Sequence, residues 1–299
     1  MILKVKPQNI TAAVTARRYN EEKRKGGPSM KKQLRKAITV LLAVIFVCSS
    51  ALLGWHLYQN KQAEELYQRV SELAGLPQEN VLEALKELDL REDHKPTQSA
   101  YEGLDAAYSR ILQNVDLGGL YSENNDLIGW ILLPGTRISY PLVQGDNNEY
   151  YLNHGWDHSW NTAGAIFLDY RNSGDLSDFN TVIYGHRMDN RSMFGELHNY
   201  KKEGYWETHP SIFIRDGNGC YRYDIFAAYE TGTNNTYSRQ ITDHDDRSQW
   251  ITECLQQSVI DTGIQPTTSD RFITLSTCTG TGHSTRWVVQ AVWRGTSTH

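Results

Sequence analysis

One stretch near the beginning of the chain limits its topology more than any other feature. Residues 37–55, AITVLLAVIFVCSSALLGW, contain no charged side chain across 19 positions. A helix rises 1.5 Å per residue, so this stretch nearly crosses the hydrocarbon core of a bilayer, and the uncharged residues 56–60 extend it. A buried helix of a soluble protein is rarely apolar on all sides at this length. The stretch therefore predicts a transmembrane anchor at residues 37–58.

The charges on either side of this stretch predict its orientation. Residues 1–36 carry eleven Lys or Arg and two acids, whereas Glu64 and Glu65 follow the stretch. Basic flanks stay on the cytoplasmic side of a membrane. We therefore expect a cytoplasmic N-terminus and an extracellular chain after about residue 58. A cleaved signal peptide is the alternative, although residues 49–51, Ser-Ser-Ala, form a poor cleavage site.

The next segment has helical patterns. Apolar residues recur with a 3.6-residue period over residues 61–76 and 79–90, and over Tyr101–Val115, which Gly118 and Gly119 are expected to stop. Met30 is an alternative start, which leaves open whether residues 1–29 belong to the product. We expect four parts: a basic cytoplasmic segment, 1–36; the anchor, 37–58; a helical stalk and linker, 59–99; and the main domain, 100–299.

From Asn125 onward, short β-rich runs alternate with turn residues. Eight strands are predicted: Leu127–Leu133, Arg137–Val143, Ala165–Asp169, Thr181–Tyr184, Ser211–Arg215, Tyr221–Tyr229, Phe272–Ser276 and Trp287–Arg294. Their number and spacing, without a βαβ rhythm, predict a closed or nearly closed β-barrel. One late helix is expected at about Asp246–Ile260, capped by Asp245 or Asp246.

Composition excludes several classes of function. The net charge is −5, which argues against a nucleic-acid-binding protein. The four cysteines form no Cys-x-x-Cys pair, so a zinc ribbon or thioredoxin-like site is not expected. His154 and His158 lack the intervening Glu of a zinc peptidase, and their surroundings indicate a turn. Cys220 and Cys254 leave open a disulfide outside the membrane.

Three residues at predicted strand ends have chemistry in common. Cys278 ends the apolar run ITLSTC, and Arg286 begins the next strand eight residues later. A hairpin brings both to one end of the barrel, where a guanidinium can lower the pKa of a thiol or hold an oxyanion. His186 follows another strand and a glycine, and a Cys nucleophile needs such a proton-transfer partner. Taken alone, Cys278 also fits an inert core thiol, Arg286 a surface charge of a strand, and His186 a turn residue on the surface.

These stretches resemble the sortase family, specifically class B. The resemblance covers roughly residues 100–296 and rests on NTVIYGHRMDNRSMFGELHNY, on TLSTC with an Arg eight residues later, and on DLIGWILLPGTRISYPLVQ, DNNEYYLNHGW and GAIFLDYRN. It implies a mainly β fold: an eight-stranded sortase-type barrel with N-terminal helices, a helix in the loop before the Cys strand, and one preceding transmembrane helix. It departs from the family at Arg187, where a neutral residue is expected. Residues 279–285 contain no acid, which excludes a Cys-His-Asp arrangement through this loop.

The resemblance implies a membrane-anchored cysteine transpeptidase of Gram-positive bacteria. Carried over, Cys278 is the nucleophile, His186 the acid and base, and Arg286 the oxyanion partner. For Ser276 and Thr277 three roles stay open: contact with substrate, a backbone hydrogen-bond donor, or a structural role in the strand. The implied partners are secreted proteins with a C-terminal sorting motif, cleaved after Thr, and an amine of a peptidoglycan precursor or a pilin. No metal or organic cofactor is implied.

Two other functions remain as alternatives. A hydrolytic cell-wall cysteine peptidase would release free acid even with excess amine present. A non-catalytic surface adhesion protein would have a Cys278 that is inert toward thiol reagents.

Overall fold

The computed structural model describes residues 15, 17–18, 30–76, 98–233, 236–239, 241, 243–279 and 284–296. The chain divides into two compact units, Met1–Tyr58 and Gln59–His299, and each is described by itself. Within the described residues, one helix is long and apolar enough to cross a membrane, Lys31–Leu73, with a mean hydropathy of 2.5 over its most apolar window. In the first unit its apolar side chains are exposed, as a lipid-facing surface requires.

The described residues form five α-helices and eight strands. The helices are α1 (Met30–Leu73), α2 (Gln98–Gln113), α3 (Leu117–Glu123), α4 (Tyr205–Thr208) and α5 (His244–Gln257). The strands are β1 (Leu127–Leu132), β2 (Ser139–Val143), β3 (Ile166–Leu168), β4 (Asn180–Tyr184), β5 (Ser211–Asp216), β6 (Cys220–Gly232), β7 (Phe272–Cys278) and β8 (Thr285–Thr296). Short 3₁₀ helices occupy Tyr150–Leu152, Gly195–Lys201 and Thr236–Ser238.

The eight strands close into a barrel in the order β1-β2-β3-β4-β7-β8-β6-β5. The β2–β3 and β4–β7 pairs are parallel, and the remaining pairs are antiparallel, including the β1–β5 pair that closes the barrel. Every predicted strand is present, with its ends shifted by a few residues. The expected mainly β, eight-stranded barrel is therefore confirmed.

Alternating side chains of the strands build two apolar layers. Ile183, Ile273 and Val289 point into the barrel interior and are fully buried. Their neighbours along the strands, such as Phe272, lie on the outer face, where they pack with Trp250 of α5 and with each other. Helix α5 thus packs on the outer face of the barrel against β6, and its apolar cluster includes side chains of β4, β7 and β8.

The second unit includes the C-terminal part of α1. Leu66, Val70 and Leu76 are buried in one apolar cluster with Leu112 of α2 and Trp130 of β1. The amphipathic pattern of residues 61–76 predicts a stalk helix, and its apolar face has a partner in this unit. The boundary at residue 100 stays a prediction, and the second helical pattern, residues 79–90, lies outside the described residues.

Two predicted helix ends are wrong, both because of an aspartate cap. Gly118 and Gly119 do not stop a helix; they lie inside α3, whose first turn is capped by Asp116, which accepts from the backbone N–H of Gly119 at 2.9 Å. Helix α5 is capped by Asp243, not by Asp245 or Asp246. Asp243 has extended backbone and accepts from the N–H of Asp246 at 2.9 Å, the geometry of an N-cap.

Candidate active site

The first two predicted residues are direct partners across a hairpin. Cys278, the last residue of β7, is paired with Arg286 of β8 in the antiparallel ladder. Residues opposite each other in such a pair have Cβ atoms about 4.5–5.5 Å apart and point to the same face. Both side chains are partly buried. One guanidinium N–H of Arg286 donates to the Thr285 carbonyl at 3.1 Å, which helps to orient the guanidinium group.

The third predicted residue reaches the same place from the other side of β7. Strands β4 and β7 are parallel, with Tyr184 paired with Ser276. The N–H of Gly185 continues the ladder to the Ser276 carbonyl at 3.2 Å. His186 lies two residues beyond the end of β4 and Cys278 two residues beyond Ser276, so the parallel strands lead both residues toward the same end of the barrel.

A glycine is required between the strand and His186. A Cβ at position 185 would lie 2.5 Å from Cδ1 of Ile166 and 2.7 Å from the ring of Phe194. Only glycine allows the backbone this close to the barrel. Cys278 and Arg286 are ladder partners at one end of the barrel, and His186 follows β4 at that same end.

The imidazole of His186 is held by a backbone carbonyl that sequence reasoning missed. Its Nε2 lies 2.6 Å from the carbonyl oxygen of Leu152 in the first 3₁₀ helix. A carbonyl only accepts, so Nε2 carries the proton and Nδ1 is the basic nitrogen of the neutral ring. The supporting turn is braced by the Tyr150 ring, which stacks on His154 with centroids 4.0 Å apart. A backbone acceptor has no sequence signature.

The two remaining predicted site residues lie on opposite faces of β7. Ser276 shares the outer face with Cys278, whereas Thr277, paired with Trp287, shares the interior face with Ile273. Both are buried, and neither side-chain oxygen has a hydrogen-bond partner in the described part of the chain. Ser276 therefore lies on the same face as Cys278, while Thr277 faces the packed interior.

A polar network surrounds the Tyr184 hydroxyl, two residues before His186. The Tyr184 hydroxyl donates to the Asp169 carboxylate at 2.9 Å, and Arg171 binds both oxygens of that carboxylate, at 2.9 and 2.6 Å. Burial alone would raise the pKa of Asp169, but the bonds from Arg171 and Tyr184 outweigh it and leave that pKa lowered. The carboxylate is thus ionised at neutral pH and fixes Tyr184. Sequence reasoning assigned no role to these three residues.

The other cysteines of the second unit are core residues. Cys254 of α5 is fully buried, and burial raises the pKa of its thiol to about 12. Cys220 is buried in a different apolar cluster, and both are free thiols, so the disulfide left open above is not formed. Cys278 is partly exposed and is therefore more accessible than Cys220 and Cys254.

The histidine pair singled out above belongs to an aromatic group. His154 contacts the Tyr150 and Trp160 rings, and His158 approaches Tyr150 and Tyr151. Among the described residues, no group of three or more His, Cys, Asp or Glu side chains is placed to hold a metal ion.

The structure defines a class of protein: a closed eight-stranded β-barrel with a cysteine and an arginine paired at the end of two adjacent strands. The comparisons name the family. The family model for the sortase domain matches residues 131–293. The chain is 31% identical over 252 residues to sortase B of Listeria monocytogenes, covering 83% of this chain and 91% of that protein. It is 38% identical over 193 residues to sortase B of Staphylococcus aureus, covering 62% and 79%.

The solved structures agree as well. The Staphylococcus aureus sortase B–substrate complex superimposes with a TM-score of 0.61 at 28% identity, covering 81% of this chain and all of that one. The chain belongs to the sortase family, and within it to class B. It is accordingly a cysteine transpeptidase of the sortase type.

Proposed function

We propose that Cys278 is the nucleophile of this sortase, with His186 as the acid and base and Arg286 as the oxyanion partner. The single observation that supports this most is the register: Arg286 is opposite Cys278 in the β7–β8 ladder, and the parallel β4–β7 ladder, which runs to Tyr184 and Ser276, leads the chain to His186 at the same end of the barrel. A Cys acyl transfer needs a nucleophile, a proton carrier and a fixed cation, and these three residues would supply them.

The first half-reaction forms a thioester. The Cys278 thiolate attacks the carbonyl carbon of the Thr residue in a sorting signal, and the C=O electrons move to the oxygen. Arg286 binds that oxyanion. As the tetrahedral intermediate collapses, the C–N bond breaks, and Nδ1–H of the His186 imidazolium gives its proton to the leaving amine. The Leu152 carbonyl holds Nε2–H throughout, in both protonation states.

The second half-reaction transfers the acyl group to a new amine. The neutral Nδ1 of His186 takes a proton from the attacking amine of a peptidoglycan precursor or a pilin. The new C–N bond forms and the C–S bond breaks, which regenerates the Cys278 thiolate beside an imidazolium. Two amides are exchanged without a change of redox state. The reaction follows a ping-pong sequence and needs no metal or organic cofactor.

Ser276 and the network of Tyr184, Asp169 and Arg171 are proposed to border the sorting signal. The Ser276 hydroxyl is buried on the face of Cys278 without a partner in the described residues, so a substrate amide would satisfy it. For Thr277 only a backbone contribution is proposed, because its side chain lies on the interior face. The similar sortase B of Staphylococcus aureus has been solved as a substrate complex, which supports a substrate site on this fold.

The localisation follows from the first unit. We propose that the apolar part of α1 anchors the protein in the cell membrane as a single pass, with the basic N-terminus in the cytoplasm and the catalytic unit outside. Its long uncharged run and one-sided basic flank support this orientation. The partners would then be secreted proteins that carry a sorting motif.

One experiment tests the proposed function as a whole. The protein is incubated with a library of sorting pentapeptides and several amines, and the products are identified by mass. The expected product joins the peptide, cut after Thr, to the amine. Free acid as the sole product despite excess amine would instead indicate a hydrolytic peptidase. A Cys278 inert toward thiol reagents, with no peptide product, would support a non-catalytic surface protein.

A further inference from the structure

A second histidine touches the nucleophile residue itself. His198, in the 3₁₀ helix Gly195–Lys201, has its Nε2 at 3.0 Å from the backbone carbonyl oxygen of Cys278. Because a carbonyl only accepts, Nε2 carries a hydrogen and donates it. None of the proton transfers proposed above uses His198.

The ring of His198 is held in this position by the neighbouring strand. It packs on the indole of Trp287, with centroids 5.6 Å apart. That indole donates from Nε1 to the Leu197 carbonyl at 2.8 Å, so the residue before His198 is tied to β8. Trp287 is fully buried and is the ladder partner of Thr277, the residue before the nucleophile. The donor and its target are thus fastened to the same pair of strands.

The target carbonyl lies where β7 becomes a loop. Cys278 and Arg286 are near the open end of the hairpin, and residues 280–283 beyond them are outside the described part of the chain. A hydrogen bond on the Cys278 carbonyl fixes the peptide plane that follows the nucleophile. Since this peptide plane is joined to Cα of Cys278, the bond also helps to set the direction in which the side chain leaves the strand.

The charge state of His198 suits this task. Burial lowers the pKa of His198, and the nearby cations Lys201 and Arg187 lower it further, while the Cys278 carbonyl and Glu230 act in the opposite direction and are outweighed. The ring is therefore neutral at pH 7. It donates one hydrogen bond without adding a positive charge beside the thiolate.

We propose that His198 is a positioning residue for the transpeptidation, which holds the Cys278 carbonyl and so orients the nucleophile for attack. The proposal rests on the proposed function of Cys278. It assigns no proton transfer to His198, which acts only through the backbone of its target.

Two substitutions separate the hydrogen bond from packing. His198→Gln keeps an amide N–H of similar reach, whereas His198→Phe keeps a ring against Trp287 and removes the donor. His198→Phe is expected to lower kcat about tenfold with KM within twofold, and His198→Gln to stay within about threefold of wild type. The pH profile of kcat/KM should keep its shape in both variants, because His186 carries the proton. His209→Phe is the matched control, since His209 also bonds a backbone carbonyl, at 3.0 Å, and stacks on Tyr205 away from the site.

A second readout does not depend on turnover. The backbone of cysteine is labelled with ¹³C in the full chain, and the Cys278 carbonyl resonance is followed by NMR. His198→Phe should move this resonance in the direction of a lost hydrogen bond, and His198→Gln and His209→Phe should leave it near its wild-type position. If His198→Phe moves the resonance but the wild-type protein transfers no peptide, the hydrogen bond is confirmed and the proposed function is refuted.

Several results would overturn the inference. Wild-type kcat in His198→Phe would show that the bond does not orient the nucleophile. An unmoved carbonyl resonance would show that no bond is made. If kcat falls equally in the Phe and Gln variants, and the melting temperature also falls equally in both, His198 contributes only to packing.

Discussion

Cys278 and Arg286 occupy the same position in the β7–β8 ladder, so thiol and guanidinium leave the sheet side by side on one face. This relationship allows two roles for the arginine: lowering the pKa of the thiol, or holding the oxyanion and the substrate backbone. The two roles differ in what they require. A charge is enough for the first, whereas the second needs the planar fork of a guanidinium.

Arg286→Lys distinguishes these roles. We expect a loss of about 2.7–4 kcal/mol of transition-state stabilisation, roughly a hundred- to thousandfold in rate, because one oriented donor is lost. Alkylation of Cys278 by iodoacetamide should continue at nearly the wild-type rate. Normal catalysis in this variant would show that the charge is sufficient. A parallel collapse of alkylation and catalysis would place Arg286 in thiol activation.

His186 should be indispensable and should have one tautomer. His186→Ala is expected to lower turnover by about two to four orders of magnitude, the usual contribution of a general acid and base. In the wild-type enzyme with its imidazole neutral, ¹⁵N NMR should show hydrogen on Nε2 and a basic Nδ1, because the Leu152 carbonyl accepts at 2.6 Å. A dominant Nδ1–H tautomer would contradict the assigned geometry, and a wild-type rate in His186→Ala would remove this residue from the mechanism.

Cys254 provides the contrast to Cys278. Its thiol is fully buried, accepts from the Tyr229 hydroxyl at 3.6 Å, and has a pKa raised to about 12 by burial. Cys254→Ala should cost about 1–2 kcal/mol of unfolding free energy, because it leaves a small cavity and removes one hydrogen-bond partner of the Tyr229 hydroxyl. Peptide transfer measured well below the melting temperature should be unchanged. Loss of transfer in the folded variant would mean that α5 does more than cover the barrel.

The part of α1 that follows the membrane-spanning stretch should be needed for folding. A chain beginning at residue 59 is expected to be soluble and active, since it keeps Leu66, Val70 and Leu76 in their apolar cluster. A chain beginning at residue 77 should unfold at a clearly lower denaturant concentration, because burying each such side chain contributes about 1.5–3 kcal/mol. Equal midpoints for the two chains in urea would show that this helix segment is a mere stalk.

The barrel was predictable because each of its strands is a short β-rich run bounded by turn residues. Eight such strands without a βαβ rhythm favour a sheet that closes on itself. The positions of Cys278, Arg286 and His186 were predictable because each lies at a strand end within a family motif. The rest depends on tertiary contacts. The Leu152 carbonyl has no side-chain signature, and His198 looks like any polar residue of a short helix. The amphipathic face of residues 61–76 fits a stalk as well as it fits a barrel surface.

The proposed mechanism requires that the Cys278 sulfur carries the acyl group. The protein is mixed with a sorting pentapeptide that it cleaves, quenched with acid before an amine is added, digested and mapped by mass spectrometry. We predict a thioester on the peptide that contains Cys278, sensitive to hydroxylamine and absent from Cys278→Ala, which should also show no turnover. An acyl group on any other residue, or continued peptide transfer by Cys278→Ala, would contradict the assignment of the nucleophile.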